Sequence, residues 1–337
     1  MSLRKLLFPF SILYDGVVGT RNYLYNTGFF KSKKYDIPVL CIGNLNVGGT
    51  GKSPMVEYVA TLLKADYKVA VLSRGYKRKS KGFYLLKGDE KAEVTGDEPL
   101  QFKMKFPNVV VAVDENRQHG IAEILNLENP DVIILDDAFQ HRKVTAGYNI
   151  LLSAFGDLYI DDLLLPAGNL RENRAGAKRA NAVVVTKCPP DLSEEEMQTI
   201  QSKLKIEKQQ QLFFTSIEYA SKLKGSKKEM NWSELKEKAT LVTGIANPKP
   251  LISHLEKIGL KNSLKHLKFP DHHIFSEREI NQINSFDMVI TTEKDYMRLK
   301  DKISEEKLFY IPIEVRFIKN KKIFDSDLQY FVNEKMR

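Results

Sequence analysis

The stretch Gly43-Asn44-Leu45-Asn46-Val47-Gly48-Gly49-Thr50-Gly51-Lys52-Ser53-Pro54 constrains this chain more than any other part of it. It follows an apolar run, Ile37 to Ile42, that reads as a buried strand, and it precedes Met55 to Leu63, where apolar residues recur at helical spacing. Strand, glycine-rich loop and helix in that order make a phosphate-binding loop. Backbone N–H groups wrap the phosphates, the helix N-terminus adds partial positive charge, Lys52 reaches the transferring phosphoryl group and Ser53 offers a hydroxyl to Mg²⁺. Nucleotide contacts are expected from Asn46, Val47, Gly48, Gly49, Thr50, Gly51, Lys52 and Ser53. The pattern G-x-x-x-x-G-K-[ST] fails only at its first glycine, where Asn46 stands, and Asn tolerates the positive φ that such a turn asks for.

Apolar runs recur at Val39 to Ile42, Val69 to Leu72, Val109 to Val113, Val132 to Leu135, Ile150 to Leu152 and Ala182 to Val185. Their lack of alternation predicts a parallel sheet with helices on both faces, an α/β doubly wound fold. After Lys187 the character changes: Ser193 to Gln211 reads as a charged helix, Leu212 to Tyr219 as a strand and Lys222 to Lys228 as a basic connector. A second, smaller α/β unit follows, with strands near Thr240 to Thr243, Met288 to Thr291 and Phe309 to Val315. The segments Phe213 to Tyr219 and Phe309 to Phe317 flank it and are expected to pair as a two-stranded hinge. The length of 337 residues suits this division: an N-terminal segment over 1–36, the nucleotide-binding unit over 37–218, the smaller unit over 219–317 and a tail over 318–337.

A hydrophobic content of 42% with 28% charged residues describes a soluble globular chain, and the net charge of +9 calls for acidic company: nucleic acid, an anionic membrane surface or a phosphorylated substrate. No nucleic-acid recognition motif accompanies the charge. Cys41 and Cys188 have no metal-ligand spacing and read as reduced, buried thiols. No run of 18 apolar residues exists, so no spanning helix is expected. Arg4 and Lys5 nevertheless precede Leu6, Leu7, Phe8, Phe10, Ile12, Leu13 and Tyr14, and Tyr23, Leu24, Tyr25, Phe29 and Phe30 are followed by lysines. Either this segment lies amphipathically at a membrane interface or its aromatics cover the sheet.

Asp131-Val132-Ile133-Ile134-Leu135-Asp136-Asp137 has the form of a Walker B strand, and Asp136 or Asp137 is expected to hold Mg²⁺ beside the loop. Gly96-Asp97-Glu98-Pro99 opens a helix, so Asp97 is either its N-cap or a base that accepts a hydroxyl proton. Asp271-His272-His273 precedes the capping box Ser276-Glu277-Arg278-Glu279; adjacent histidines share a metal poorly, which favours a hydrogen-bonding or acid–base role. Arg171-Glu172, in the loop Leu164 to Glu172, and Arg74, in Ser73-Arg74-Gly75-Tyr76, could offer guanidinium groups to phosphate. Thr292-Glu293-Lys294-Asp295 follows a strand of the smaller unit and is similarly placed, without an assigned role. Thr186-Lys187-Cys188-Pro189 has Pro where a guanine-reading motif has Asp, which favours ATP over GTP.

These strings, in this order, resemble the tetraacyldisaccharide 4′-kinases, the lipid A 4′-kinases of Gram-negative bacteria, over nearly the whole chain. The strings are the phosphate loop, Ser73 to Tyr76, Gly96 to Pro99, Asp136-Asp137-Ala138-Phe139-Gln140-His141, Leu164 to Glu172, Thr243-Gly244-Ile245-Ala246, Asp271-His272 and Thr292 to Asp295. The resemblance implies an ATP- and Mg²⁺-dependent kinase of the 4′-hydroxyl of a tetraacyldisaccharide 1-phosphate, a peripheral monomer at the cytoplasmic face of the inner membrane. It also implies that Asp97 is the base with His272 as its partner, that Asp136 and Asp137 serve Mg²⁺ and phosphate, and that Arg171 and Glu172 stand near the reaction centre. Ser53 stands where the family often has Thr, and Lys77 where Gly commonly follows Arg-Gly-Tyr. A membrane-associated P-loop switch ATPase is the alternative, though Asp271-His272 and the smaller unit have no purpose in it.

Overall fold

The uninterrupted apolar runs form strands buried on both faces. The computed structural model describes residues 3–235, 239–260 and 264–337; Met1 and Ser2, at the head of the N-terminal segment, lie outside it. Helix α1 (Phe8–Asn26) leads to β1 (Val39–Asn44), α2 (Lys52–Leu63), β2 (Val69–Ser73), the short β3 (Tyr84–Leu85), α3 (Ala92–Thr95), α4 (Asp97–Lys105), β4 (Val110–Val113) and α5 (Arg117–Glu128). Strands β5 (Val132–Asp136), β6 (Tyr148–Ala154) and β7 (Ala182–Thr186), helix α6 (Glu194–Leu204) and β8 (Gln211–Tyr219) follow. Then come β9 (Lys222–Lys224), β10 (Glu229–Asn231), β11 (Ala239–Thr243), α7 (Lys249–Lys257), β12 (Lys265–Lys268), α8 (Glu277–Asn284), β13 (Met288–Thr292), α9 (Glu293–Leu299), β14 (Leu308–Ile311), β15 (Ile313–Phe317) and α10 (Lys321–Met336).

The larger sheet has the order β15-β8-β7-β6-β1-β5-β2-β4-β3, parallel except at its two edges. Strand β1 lies between β5 and β6, with Ile42 opposite both Asp136 and Ile150. The loop that leaves β1 therefore opens beside the carboxylates that end β5, in the crevice at the strand C-termini where α/β sheets hold their ligands. The smaller sheet has the order β10-β9-β14-β13-β11-β12, and α9 leaves the C-terminal end of its central β13.

Four local outcomes differ from the sequence reading. The charged helix read over Ser193 to Gln211 ends at Leu204, and Gln211 already begins β8. The basic connector is a hairpin, with β9 antiparallel to β10. The segment Phe309 to Phe317 divides at Pro312: β14 joins the smaller sheet, and only β15 pairs with β8, Ile313 opposite Tyr219 through Phe317 opposite Thr215. The tail is α10, whose Phe324, Leu328 and Val332 enter the apolar layer beneath the larger sheet. The N-terminal apolar side chains do not cover the sheet: Leu6, Phe10, Ile12, Leu13, Val17 and Tyr23 point to solvent. Among the described residues, no helix is long and apolar enough to cross a membrane. Both cysteines are buried and unpaired, and burial pushes each thiol up to about 12.

Candidate active site

The glycine-rich loop closes onto α2 through Gly51, the helix N-cap, at φ +85°, a conformation that only glycine adopts without strain. Gly43, at the end of β1, leaves room for Phe139, since a Cβ there would lie 2.7 Å from the Phe139 Cβ. Asn46 does not use positive φ. It bridges to Leu170 and donates from Nδ2 to Asp162 Oδ2 at 3.1 Å, so it ties the loop to the segment bearing Arg171. Thr186 donates to the Thr50 carbonyl at 2.7 Å, and Lys187 donates to the Gly49 carbonyl. The failed guanine motif is thus a brace for the phosphate loop, which its letters did not suggest.

Lys52 Nζ lies 3.3 Å from Asn44 Oδ1 and 3.7 Å from Asp137 Oδ2. Arg171 grips the same carboxylate with both terminal nitrogens, at 2.7 and 3.3 Å, and also reaches the Asn44 carbonyl at 2.9 Å. Burial alone would raise Asp137, but Lys52 and Arg171 outweigh it and hold the group below the ordinary carboxylate value. Asp136 behaves oppositely. It is buried, accepts from Ser73 Oγ at 2.9 Å, and is pushed up to about 7 by burial and by the nearby charges of Glu98 and Asp137. Crowded carboxylates beside a serine hydroxyl are a donor set that a hard divalent cation relieves. Among the described residues no three-ligand cluster of His, Cys, Asp or Glu exists. The buried Thr50 Oγ1 has no hydrogen-bond partner in the protein.

Asp97 is not an N-cap. Gly96 occupies that position, and no side chain caps α4. The Asp97 carboxylate instead accepts from Arg298 of α9 and lies 3.2 Å from His272 Nδ1. Against the cost of burial, His272, Arg298 and Lys294 hold it far below the usual range. His272 takes φ +56° in its loop, and the exposed ring of Tyr76 meets its imidazole edge-on at 6.0 Å. The next residue, Glu98, accepts from Ser53 Oγ at 2.9 Å and from Lys294. His273 turns away and contacts Glu279 at 3.0 Å, inside the capping box of α8.

Glu172 is withdrawn from the crevice surface. Its carboxylate is 1% exposed and accepts from Arg179 at 2.8 and 2.9 Å, Gln140 at 2.8 Å and Asn22 at 2.9 Å. Arg74 is exposed at the end of β2. Sequence reasoning missed Arg298 and left Lys294 without a role. Their spacing of four residues puts both on one face of α9, the only clue the sequence held.

The fold and this crevice define a P-loop kinase: a phosphate loop on a parallel sheet, acidic groups at the neighbouring strand end, and a buried carboxylate and imidazole brought from two sheets. The family model described as tetraacyldisaccharide-1-P 4′-kinase matches residues 3–333, and the chain belongs to that family. It is 49% identical to the tetraacyldisaccharide 4′-kinase of Flavobacterium johnsoniae, over 99% of this chain and 98% of that one. The corresponding kinase of Bacteroides thetaiotaomicron is 42% identical, over 100% and 95%. A crystal structure of LpxK from Aquifex aeolicus in complex with ATP superposes with a TM-score of 0.79 at 34% identity, covering 98% of this chain and 99% of that one.

Proposed function

We propose that this protein transfers the γ-phosphate of ATP to the 4′-hydroxyl of a tetraacyldisaccharide 1-phosphate, a step in lipid A biosynthesis. The meeting of Asp97 and His272 one residue from the Ser53–Glu98 contact carries this reading, because it brings a base beside a phosphate loop. The loop amides from Asn46 to Ser53 bind the triphosphate, and Lys52 neutralises its terminal oxygens. Ser53, with Asp136 and Asp137, would hold Mg²⁺, which when bound supplies charge neutralisation on the β- and γ-oxygens. Asp97 accepts the proton of the 4′-hydroxyl as its oxygen bonds to phosphorus; the bond from phosphorus to the bridging oxygen breaks and ADP leaves with that electron pair. Arg171 steadies Asp137 and the loop that ends β1. Glu172 acts at a distance, by fixing Arg179 and Gln140 beneath that loop.

The outward apolar face of α1, with Arg4 and Lys5 ahead of it, supports peripheral attachment to an anionic bilayer, at the cytoplasmic face of the inner membrane where ATP is supplied. The β8–β15 pair supports a division into two units that can close on each other, the chain leaving the larger one after β8 and returning to it at Pro312 rather than near 317. The test of the transfer step is Asp97→Asn: kcat should fall about 10²–10⁴-fold while ATP affinity stays within a few-fold. Full turnover by that variant removes Asp97 from the base role.

A further inference from the structure

Arg298 holds together groups from its own helix and from three other segments. Nη1 donates to Asp295 Oδ1 at 2.8 Å and to the Gly244 carbonyl at 3.2 Å; Nη2 donates to Asp97 Oδ2 and, at 2.9 Å, to His272 Nδ1. The seat of this guanidinium is rigid. Asp295 is 0% exposed and accepts from the Gly244 N–H and the Thr292 hydroxyl, both at 2.8 Å. Lys294, bonded to Glu98, and His272 also stand beside Asp97.

A guanidinium cannot be deprotonated in a protein and has no acceptor, so toward every polar partner it must donate. His272 Nδ1 can donate to Asp97 or accept from Arg298, but one ring nitrogen does not do both in one tautomer. Where Arg298 donates to it, Nδ1 accepts and the imidazole proton sits on Nε2. In that tautomer Arg298 supplies the orienting hydrogen bond of Asp97, whereas a proton on Nδ1 would let His272 donate to Asp97 across 3.2 Å instead.

We propose that Arg298 is a positioning residue for phosphoryl transfer, fixing the Asp97 carboxylate across the two sheets and selecting the Nε2–H tautomer of His272. This rests on Asp97 being the base. The residue touches no substrate in this role; it acts through Asp97 and His272. A lysine at 298 keeps one charge but lacks the fork that reaches Asp295 and the Asp97–His272 pair together.

The test combines kinetics with ¹⁵N NMR of protein labelled in its six histidines, the His272 signals being assigned by their loss in His272→Gln. Arg298→Lys and Arg298→Gln should each lower kcat about 10²-fold, with KM for ATP changed by less than about threefold. Wild-type His272 should show the Nε2–H pattern, and Arg298→Gln should lose it. Unchanged kcat in both variants, or a wild-type His272 protonated at Nδ1, overturns the proposal. If Arg298→Gln fails to fold, Arg298→Lys and the wild-type tautomer still decide. Asp97→Asn is measured alongside: full turnover there sinks the base reading, whereas an inactive Asp97→Asn beside fully active Arg298 variants sinks only the role of Arg298.

Discussion

Ser53 Oγ donates to Glu98 Oε1 at 2.9 Å, so the hydroxyl proton of the phosphate loop is already committed and its lone pairs are free to face a cation. Lys294 bonds the same Glu98 oxygen and, against burial, keeps that carboxylate below its ordinary value. Outer partners that orient a metal ligand are worth about 10–100-fold in metal affinity. Glu98→Ala should therefore raise the Mg²⁺ concentration for half-maximal activity by about that factor, with a smaller effect on maximal rate. Titrating Mg²⁺ at saturating ATP checks this, and an unaltered midpoint contradicts it.

Glu172 should prove a structural anion. Glu172→Ala strands Arg179, Gln140 and Asn22 around a buried vacancy, and breaking such a cluster costs about 3 kcal/mol. Denaturant unfolding should show that loss, together with lowered activity. Lost activity at wild-type stability would instead put Glu172 in the chemistry itself.

The larger sheet and its phosphate loop were legible because they are local: strand, loop and helix are contiguous in sequence, and β5 announces itself by four apolar residues ending in acid. Asp97 was legible as chemistry only through the resemblance, since the residues around it suit a helix start equally well. Arg298 was not legible at all. Its contact with Asp97 spans 201 positions, and nothing in the sequence around either residue fixes how α9 packs against α4. The split at Pro312 escaped for a related reason, because strand propensity runs on both sides and only the tertiary structure sends β14 and β15 to different sheets.

A second charged cluster joins the two sheets below the site: Lys105 lies 2.7 Å from Glu57 and 3.1 Å from Glu293. Burial, and next the charge of Glu57, pushes Glu293 up from 4.5 to about 7. A carboxyl raised on folding binds its proton more tightly in the native state, so its contribution is full below pH 4.5 and declines as pH rises through 7. Glu293→Gln should accordingly gain stability over wild type between pH 5 and pH 8, by on the order of 1 kcal/mol. Melting curves across that range check the sign; a variant that loses ground as pH rises contradicts it.

The exposed side chains of α1 should govern attachment to lipid. Replacing Phe10 and Leu13, which are 58% and 69% exposed, by Glu should weaken flotation with anionic vesicles at least about tenfold while leaving the melting temperature unchanged. Equal flotation by both proteins would show that another surface meets the bilayer.

The most direct measurement is transfer of label from γ-³²P-ATP to purified tetraacyldisaccharide 1-phosphate with Mg²⁺, wild type beside Lys52→Ala. Wild type should label the lipid at its 4′ position and Lys52→Ala should do so at least about 10²-fold more slowly. Label that stays out of the lipid with wild type, or enters it undiminished with Lys52→Ala, would contradict the account.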